Sequence, residues 1–318
     1  MSMMLQPTTY NLQENVVYEG GNFEQLCEVK FLKDLFGALS SIVKNFDDYI
    51  FFIMSDSSGK PLPSSMYYET KKKKILVLIS DECGEIPYHL SPYFYAIFKA
   101  YLQFDKFCVN NIFNFALGCV KDVQELPIIP IKDRKYSIFF SGNLNSERMQ
   151  LYLLLFFKYY SNYMLKSFRF LIRRRILKII LLRLKSNFDN RYSDSYINFT
   201  KGFRNGISPA EYSKILSDSK IVLCPKGFTS SECFRHYEAM RAGCVIISEK
   251  LPNTYFYKES PIIQVNNWQE GLKVAAELQK NTTELEKISN LTQDWYKKRC
   301  SEEGIAQYMV KCLKKIAI

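Results

Sequence analysis

Residues 221–248 read IVLCPKGFTSSECFRHYEAMRAGCVIIS and predict one strand–helix–strand unit. The apolar runs 221–224 and 244–248 are typical of buried strands, and 233–242 has helical spacing. A connection this short joins two parallel strands by a right-handed crossover. Ligands of such sheets bind beyond the carboxyl ends of the strands, so we expect a site at the loops 225–230 and 248–253.

Both ends of this helix carry a recognisable signal. Thr229-Ser-Ser-Glu232 has the pattern of a capping box, which predicts that the helix begins at Thr229. Gly243 stands where a glycine commonly follows the last turn of a helix. The unit is therefore bounded on both sides by residues that favour the same interpretation.

The rest of the chain alternates strand and helix patterns, and Pro127 and Pro130 mark a linker over 126–133. Alternation of this kind predicts an α/β fold with parallel sheets. The predicted strands cover 50–54, 75–80 and 136–141. The predicted helices cover 31–44, 93–102, 146–160, 209–217 and, with interruptions, 284–318. Ser208, followed by Pro209 and by Glu211 at the third helical position, has the pattern of an N-cap for the helix at 209–217.

Composition bounds the class of protein. The chain has 318 residues, 47% of them hydrophobic and 15% aromatic, which predicts a folded protein of about two domains. Of the formal net charge of +11, nine units lie in the segment 151–186, which contains no Asp or Glu. The charge therefore describes one segment, and no base-stacking module accompanies it, so we expect no nucleic-acid partner.

Cysteine usage and the N-terminal residues bear on the compartment. Nine cysteines without a C-x-x-C pair, in a chain with two histidines, argue against a zinc module or a disulfide framework. Residues 1–17 lack the pattern of a signal peptide, and no apolar run reaches the length of a membrane span. We expect a cytoplasmic protein.

Arg235 and Glu238 form the first candidate site. They are three residues apart on the predicted helix and so lie on one face of it. Helix N-termini favour anions, Lys226 adds a positive charge, and the Glu238 carboxylate can accept hydrogen bonds from paired ribose hydroxyls. These residues suit a nucleotide diphosphate, and the alternative is an exposed helix pair worth a few tenths of a kcal/mol.

The same residues resemble the donor-binding half of exostosin-like glycosyltransferases. The similarity rests on Leu-Cys-Pro-Lys-Gly227, Arg235-His-Tyr-Glu-Ala239 and Gly243-Cys-Val-Ile246, with Phe-Phe-Ser-Gly142 as an earlier element. It covers roughly the last 185 residues, 132–318. Two positions depart from the family pattern: Cys233 stands where the motif has serine, and Ile246 where it has proline.

The resemblance implies a GT-B fold, with two Rossmann-like domains facing across a cleft. Residues 1–131 would bind the acceptor, and residues 132–318 would bind a nucleotide-sugar, with the last helix crossing back. The resemblance also implies an inverting reaction without a metal or other cofactor, and no Asp-x-Asp motif occurs in the sequence. The residues that would bind the donor are Gly142, Asn143, Arg148, Lys226, Gly227, Arg235 and Glu238.

An inverting transfer needs a base that deprotonates the acceptor hydroxyl. Glu82, Asp81 and Glu85 follow the predicted strand 75–80, in a loop similar in placement to the catalytic glutamate loop of fucosyltransferases. We take Glu82 as the first candidate and Asp81 as the second. The alternative is a polar loop that caps the next helix. His236 is interpreted as a packing residue.

The segment 151–186 has three interpretations, of which nucleic-acid binding comes last because no module for it is recognisable. Apolar residues are interleaved with its basic ones, as in helices that lie in a membrane interface, or it is a buried helix with a solvated rim. The first would suit a lipid-linked acceptor in lipopolysaccharide or capsule synthesis at the inner face of the membrane. A UDP-sugar is the expected donor; the alternatives are a fucosyltransferase-like enzyme using GDP-fucose and a non-catalytic protein at the membrane surface.

Overall fold

The computed structural model describes residues 9–55, 67, 69–82, 85–104, 109–156, 186–188, 194–202 and 205–316. The chain forms two compact units. The first unit comprises Met1–Lys121, Pro252–Lys258 and Lys297–Ile318, and the second comprises Asp122–Leu251 and Glu259–Tyr296. Most of the basic segment, 157–185, lies outside the described residues.

The first unit contains a six-stranded sheet in which the strand order follows the chain. The first two strands pair antiparallel, and all other neighbours are parallel. The strands are β1 (Thr9–Gln13), β2 (Val16–Glu19), β3 (Tyr49–Ser55), β4 (Lys73–Ile79), β5 (Ala96–Lys99) and β6 (Ile112–Asn114). The first helix is α1 (Val29–Ile42).

Burial explains why β3 and β4 form the centre of this sheet. Their apolar runs are covered on both faces, as parallel strands require: Ile75, Leu76 and Val77 are each fully buried. The predicted strands at 50–54 and 75–80 and the predicted helix at 31–44 are thus confirmed.

The predicted helix at 93–102 is wrong. A 3₁₀ segment, Tyr88–Tyr93, is followed by the strand β5, whose four residues are all buried. A short apolar run fits a buried strand as well as a buried helix, and periodicity alone does not separate the two. Ile97 and Phe98 are residue types that favour strands, and pairing with β4 decides the outcome.

The second unit contains a five-stranded parallel sheet in which the strand order does not follow the chain. The strands are β7 (Tyr136–Asn143), β8 (Tyr196–Thr200), β9 (Ser219–Cys224), β10 (Val245–Glu249) and β11 (Ile263–Val265), in the spatial order β11-β10-β9-β7-β8. The helices up to β10 are α2 (Met149–Phe156), α3 (Pro209–Ser217) and α4 (Phe234–Arg241).

Three further helices complete the chain: α5 (Trp268–Leu278), α6 (Thr282–Trp295) and α7 (Glu302–Ile316), with a π-helical turn at Tyr296–Cys300. The interrupted helical tail is confirmed. In the first unit α7 packs against α1, and Ile305 and Met309 are fully buried. In the second unit Trp268 and Leu285 join the core beneath the sheet. Among the described residues, no helix is long and apolar enough to cross a membrane.

The start of α4 differs from the prediction. The helix begins at Phe234 with Cys233 as its N-cap, so Thr229–Glu232 is not a capping box. Ser230 is held in a turn, because its carbonyl accepts from the Gly227 N–H and its hydroxyl accepts from the Glu232 N–H. Local bonds of this kind compete with helix formation. Arg235 consequently lies in the first turn of the helix.

Other terminus signals are confirmed. Ser208 caps α3 and accepts from the Glu211 N–H, with Pro209 at the first helical position. Gly243 follows α4 with φ +64°, a conformation that suits glycine. A side chain there would also approach Gln293 to 2.8 Å. These signals are local, which is why the sequence alone was enough to find them.

Candidate functional site

The second sheet has a topological switch point between β7 and β9. The chain passes from β7 to β8 on one side, and then to β9 on the other side of β7. Ligands of open α/β sheets bind outside the carboxyl ends of the strands at such a point. Those ends are Gly142 and Asn143 for β7 and Cys224 for β9, followed by Lys226.

Arg148 lies just before α2 and is held by the loops that follow both strands. Its Nη1 donates to the Asn143 carbonyl at 3.0 Å, and its Nε donates to the Lys226 carbonyl at 3.0 Å. Asn145 supports the same loops, because it accepts from the Arg148 N–H and donates to the Gly227 carbonyl. Burial, reinforced by the nearby charge of Arg235, lowers the pKa of Arg148 to about 10.

Arg235 reaches from α4 to the end of β7. Its Nη2 donates to the Ser141 carbonyl at 2.6 Å, and its guanidinium lies 4.9 Å from the centre of the Phe140 ring. The Nε and Nη1 atoms are buried and find no hydrogen-bond partner among the described residues. Buried donors are normally satisfied, so the two unsatisfied donors of one guanidinium make Arg235 a candidate for contact with a polar ligand.

Gly142 allows the two guanidinium groups to approach the strand. A Cβ built on it would lie 2.8 Å from Arg235 Nη2 and 3.1 Å from Arg148 Nη1. Any side chain there would displace at least one guanidinium. The absence of a side chain at this position is therefore what permits two positive charges to converge on the end of β7.

The loop after β9 adds a third positive charge. The Lys226 N–H donates to Glu249 Oε2 at 2.8 Å, which ties the loop to the end of β10. Its ammonium lies 3.5 Å from Glu147 Oε2, and both side chains are partly exposed. Phe228, in the same loop, is exposed. Because the pair is exposed, Lys226 can exchange Glu147 for a ligand at small cost.

Glu238 lies one turn beyond Arg235 and is buried. Its Oε2 accepts from the Tyr212 hydroxyl at 2.8 Å, and burial raises its pKa. Burial also raises the pKa of Tyr212. The alternative of an exposed Arg235–Glu238 helix pair is therefore wrong, because both residues take part in a buried arrangement with other elements.

His236 packs inside the unit, and its ring joins α4 to β10. Nε2 lies 2.8 Å from Ser248 Oγ, and Nδ1 accepts from the Cys233 N–H at 3.2 Å. The ring is fully buried. The interpretation of His236 as a packing residue fits this position.

The acidic loop belongs to the first unit and follows β4. Asp81 is buried and pairs with the Lys99 ammonium at 2.9 Å, a contact that joins the ends of β4 and β5. Glu82 is partly exposed and Glu85 is exposed. The three carboxylates therefore occupy different environments, and the Lys99 ammonium holds Asp81 in place.

The structure brings together six of the seven residues expected to bind a donor, and Glu238 lies behind Arg235 on the same helix. Sequence reasoning missed Asn145 and gave Tyr212 no role. Asn145 could have been found, because an asparagine three residues before a backbone N–H at a helix start is a common cap. Nothing in the sequence signals that Tyr212 meets Glu238, since the two residues lie on different helices.

A family model described as the RXYLT1 C-terminal domain matches residues 144–316, more than half of the chain. A search of curated proteins by sequence returns no match.

Solved structures show similar folds. A glycosyltransferase from Rickettsia africae ESF-5 superposes with a TM-score of 0.50 at 11% identity, covering 90% of this chain and 82% of that one. Alr3699/HepE of Anabaena, in complex with UDP, superposes with a TM-score of 0.48 at 11% sequence identity, and the match covers 87% of this chain and 82% of that one. TarM superposes with a TM-score of 0.47 at 13% sequence identity. The match covers 88% of this chain but only 58% of the TarM chain. The fold is that of GT-B glycosyltransferases.

Proposed function

The chain belongs to the family of the RXYLT1 C-terminal domain, an exostosin-like glycosyltransferase family, and from this premise we propose that it transfers a sugar from a nucleotide-sugar donor to a glycan acceptor. One observation carries the proposal: the two unsatisfied, buried nitrogens of Arg235 lie at the switch point of the second sheet. A diphosphate supplies the acceptor oxygens that these donors lack.

In this proposal Arg235 binds the donor diphosphate directly. Nε and Nη1 are donors on one planar guanidinium that point in different directions, so each of them can meet an oxygen of the diphosphate. Two nitrogens of Arg148 donate to backbone carbonyls, so this residue holds the loops in place. Its guanidinium also adds positive charge beside Arg235. Lys226 exchanges its partner Glu147 for phosphate oxygen. Gly142, Asn143 and Gly227 form the backbone against which the diphosphate lies.

The same charges assist the reaction. When the bond from the sugar to the diphosphate breaks, negative charge grows on the leaving phosphate oxygen. Prepositioned guanidinium groups in a site of low polarity stabilise that charge in the transition state. We propose that they do so without a metal, and that Glu238 orients the donor by accepting hydrogen bonds from its ribose hydroxyls.

We propose a single in-line displacement with inversion, in which Glu82 removes the proton of the acceptor hydroxyl. The partly exposed position of Glu82 is compatible with access to an acceptor. Asp81 stays the second candidate, and its ion pair with Lys99 suits it better to holding the loop than to moving a proton. Glu85 is the third candidate. The first unit is assigned to the acceptor and the second to the donor.

A panel of nucleotides tests donor binding. UDP, GDP, CMP and TDP are titrated while the melting temperature is followed; at 100 times the dissociation constant a ligand stabilises by about 2.7 kcal/mol. We expect UDP to stabilise the protein and Arg235→Ala to abolish the response. Lys273→Ala, which removes one exposed positive charge of α5, is the matched control and retains it. A full response in Arg235→Ala would overturn the site, and a response to GDP alone would favour a GDP-fucose enzyme.

The base is tested separately. Glu82→Gln is expected to lower kcat by about 10²–10⁴-fold, the usual contribution of a general base, with unchanged UDP affinity. Glu69→Gln, another exposed carboxylate of the first unit, serves as the control. A variant Glu82→Gln with normal kcat moves the assignment to Asp81 or Glu85. The anomeric configuration of the product, read by NMR, tests inversion.

For the acceptor we propose a growing lipid-linked glycan of lipopolysaccharide O-antigen or capsule synthesis, in a bacterial cytoplasmic enzyme that touches the inner membrane face through residues 151–186. The basic composition of that segment supports the proposal. Co-sedimentation with vesicles of anionic and of neutral lipid tests it. Equal recovery with both kinds of vesicle would remove the membrane contact from the proposal.

A further inference from the structure

The backbone makes an unusual turn at Ser80, where β4 ends. This residue directly follows the strand and has φ +58°, in the left-handed region that side chains other than glycine seldom adopt. Tyr101, just beyond β5, has φ +61°. Two of the four non-glycine residues with positive φ in the described part of the chain thus lie at this edge of the first sheet. Such conformations persist only where surrounding contacts hold them, and they concentrate at functional sites.

A long-range contact holds the turn at Ser80. The Ser80 hydroxyl donates to Glu28 Oε1 at 2.6 Å, across 52 residues of sequence. Glu28 is 4% exposed and stands at the N-cap position of α1, but its side chain makes no capping bond to that helix. A carboxylate at an N-cap normally accepts from a backbone N–H of the first turn. The Glu28 side chain therefore serves the end of β4 in place of its own helix.

The two buried carboxyl groups at this edge are held in different ways. Asp81 pairs with the Lys99 ammonium at 2.9 Å, and both side chains are buried. Glu28 is buried beside a hydroxyl, and burial raises its pKa above the usual value of 4.5. A buried carboxyl group bonded to a neutral hydroxyl lowers the stability of the folded protein when it ionises, so stability does not account for its presence.

Glu82, the first candidate for the base, lies two residues beyond Ser80. Between them Asp81 turns inward to Lys99, whereas Glu82 is partly exposed. The position of the Glu82 carboxylate thus follows from two fixed points, the left-handed backbone of Ser80 and the ion pair of Asp81. A base acts only within hydrogen-bond reach of the proton that it removes, and a misplacement of about 1 Å can lower a rate about 10²-fold.

We infer that Glu28 is a positioning residue: its side-chain oxygen holds Ser80 in the left-handed turn, and the turn presents Glu82 to the acceptor hydroxyl. The inference rests on the proposed function, because it takes Glu82 as the base. Glu28 itself touches no substrate and moves no proton. The position requires only an oxygen that accepts from Ser80, so an amide oxygen serves as well as a carboxyl oxygen.

Two replacements of Glu28 separate the accepting oxygen from the rest of the side chain. Glu28→Gln keeps an accepting oxygen, and we expect kcat of sugar transfer close to that of the wild type. Glu28→Met keeps the length of the side chain without an acceptor, and we expect kcat to fall about 10- to 100-fold with unchanged UDP affinity. Glu24→Met removes an exposed carboxylate shortly before α1 and is the matched control, with normal kcat. A normal kcat in Glu28→Met would overturn the inference.

Two variants of Ser80 decide the matter even if Glu28→Met folds poorly. Both remove the hydroxyl, but glycine adopts φ +58° without strain and alanine does not. We expect Ser80→Ala to lower kcat as Glu28→Met does, and Ser80→Gly to retain more of it. Equal losses of kcat in the two variants would show that the backbone turn is not what the hydrogen bond maintains, and would refute the positioning role.

Hydrogen exchange measures the turn without any substrate. The backbone amides of peptides that contain Ser80 and Glu82 are followed by mass spectrometry on the full chain. We expect exchange about tenfold faster in Glu28→Met than in the wild type, because the bond to Ser80 opposes local opening of the turn. Glu28→Gln and Glu24→Met are expected to exchange as the wild type does. Exchange in Glu28→Met at the wild-type rate would contradict the inference.

The readouts separate this inference from the proposed function. If the wild-type protein transfers no sugar, the proposed function fails, and hydrogen exchange still decides whether Glu28 holds the turn. If the wild type transfers sugar and Glu28→Met keeps both its kcat and its slow exchange, the inference alone fails. A fall in UDP affinity that accompanies the fall in kcat of Glu28→Met would show general damage to the fold and would count against a positioning role.

Discussion

The carboxyl edges of the two sheets use buried charge in opposite ways. In the first unit Asp81 meets Lys99 at 2.9 Å, so the charge at the ends of β4 and β5 is neutralised within the protein. In the second unit Arg235 keeps two buried donors unsatisfied beside Arg148. The first edge thus carries a buried ion pair made within the protein, whereas the second leaves buried donors for which we propose the donor diphosphate as the partner.

Strand order explains part of this difference. The first sheet follows the chain without reversal, so its order creates no switch point, while the second sheet reverses between β7 and β9. At a reversal the loops leave the two strands on opposite faces of the sheet and open a crevice. Arg235 and Arg148 stand at that crevice, and their convergence depends on it.

The largest expected effect concerns the neutral edge. Lys99→Met removes the ammonium that pairs with Asp81 while both side chains are buried, and breaking such a pair costs about 3–5 kcal/mol. Chemical denaturation measures the loss. The double variant Lys99→Met with Asp81→Leu is expected to recover most of the lost stability, because it no longer contains an unpaired buried carboxylate. A loss below about 1 kcal/mol would show that the pair is not what holds this edge.

The next effect concerns the charged edge. Gly142→Ala places a Cβ 2.8 Å from Arg235 Nη2, and we expect UDP affinity to fall about 10- to 100-fold, or about 1.4–2.8 kcal/mol. The free energy of unfolding should change little, since removing the close approach of two like charges offsets the steric cost. Isothermal titration calorimetry measures the UDP affinity, and chemical denaturation measures the free energy of unfolding. Unchanged affinity would mean that the guanidinium positions are not critical.

A pH measurement sharpens the description of the first unit. Glu28 is buried and accepts from Ser80 Oγ at 2.6 Å, and burial raises its pKa above the ordinary 4.5. The folded protein therefore holds the proton more tightly than the unfolded chain, so stability is lost as the pH rises from about 4.5 through the raised pKa.

Glu28→Gln keeps the acceptor oxygen and removes the charge. We expect it to stabilise the protein at pH 7 and to have almost no effect at pH 4, because only at the higher pH does the wild-type protein have to bury an ionised carboxylate or hold its proton. Unfolding curves at the two pH values provide the measurement. Equal effects at both values would show that Glu28 contributes no linked proton.

The smallest expected effect serves as a control for Gly142. Gly37 lies inside α1, and a Cβ there meets nothing within 4 Å. Gly37→Ala is expected to stabilise by about 0.5–1 kcal/mol through helix propensity, with unchanged UDP affinity. Thermal unfolding measures the stabilisation, and titration with UDP measures the affinity. If Gly37→Ala weakened UDP binding as Gly142→Ala does, the loss at Gly142 would not be specific to the guanidinium groups.

Much of the fold could be predicted because its signals are local. The strand–helix–strand unit of residues 219–249, the cap at Ser208 and the turn at Gly243 follow from periodicity and backbone preference within a few residues. The wrong predictions have the same origin. The helix predicted at 93–102 and the helix start predicted at Thr229 are wrong because a short apolar run and a Thr–Glu spacing each fit two structures.

The amino-acid sequence alone shows which residue types are available near the carboxyl ends of the strands, including Gly142, Lys226 and Arg235. The partners of these residues follow from the three-dimensional fold. Arg235 meets the carbonyl of Ser141, 94 residues away, and Lys99 meets Asp81, 18 residues away, in the loop that follows the neighbouring strand. Local patterns do not encode such pairings, because the order in which strands assemble into a sheet sets them. That order left one buried cation neutralised and the other with open donors.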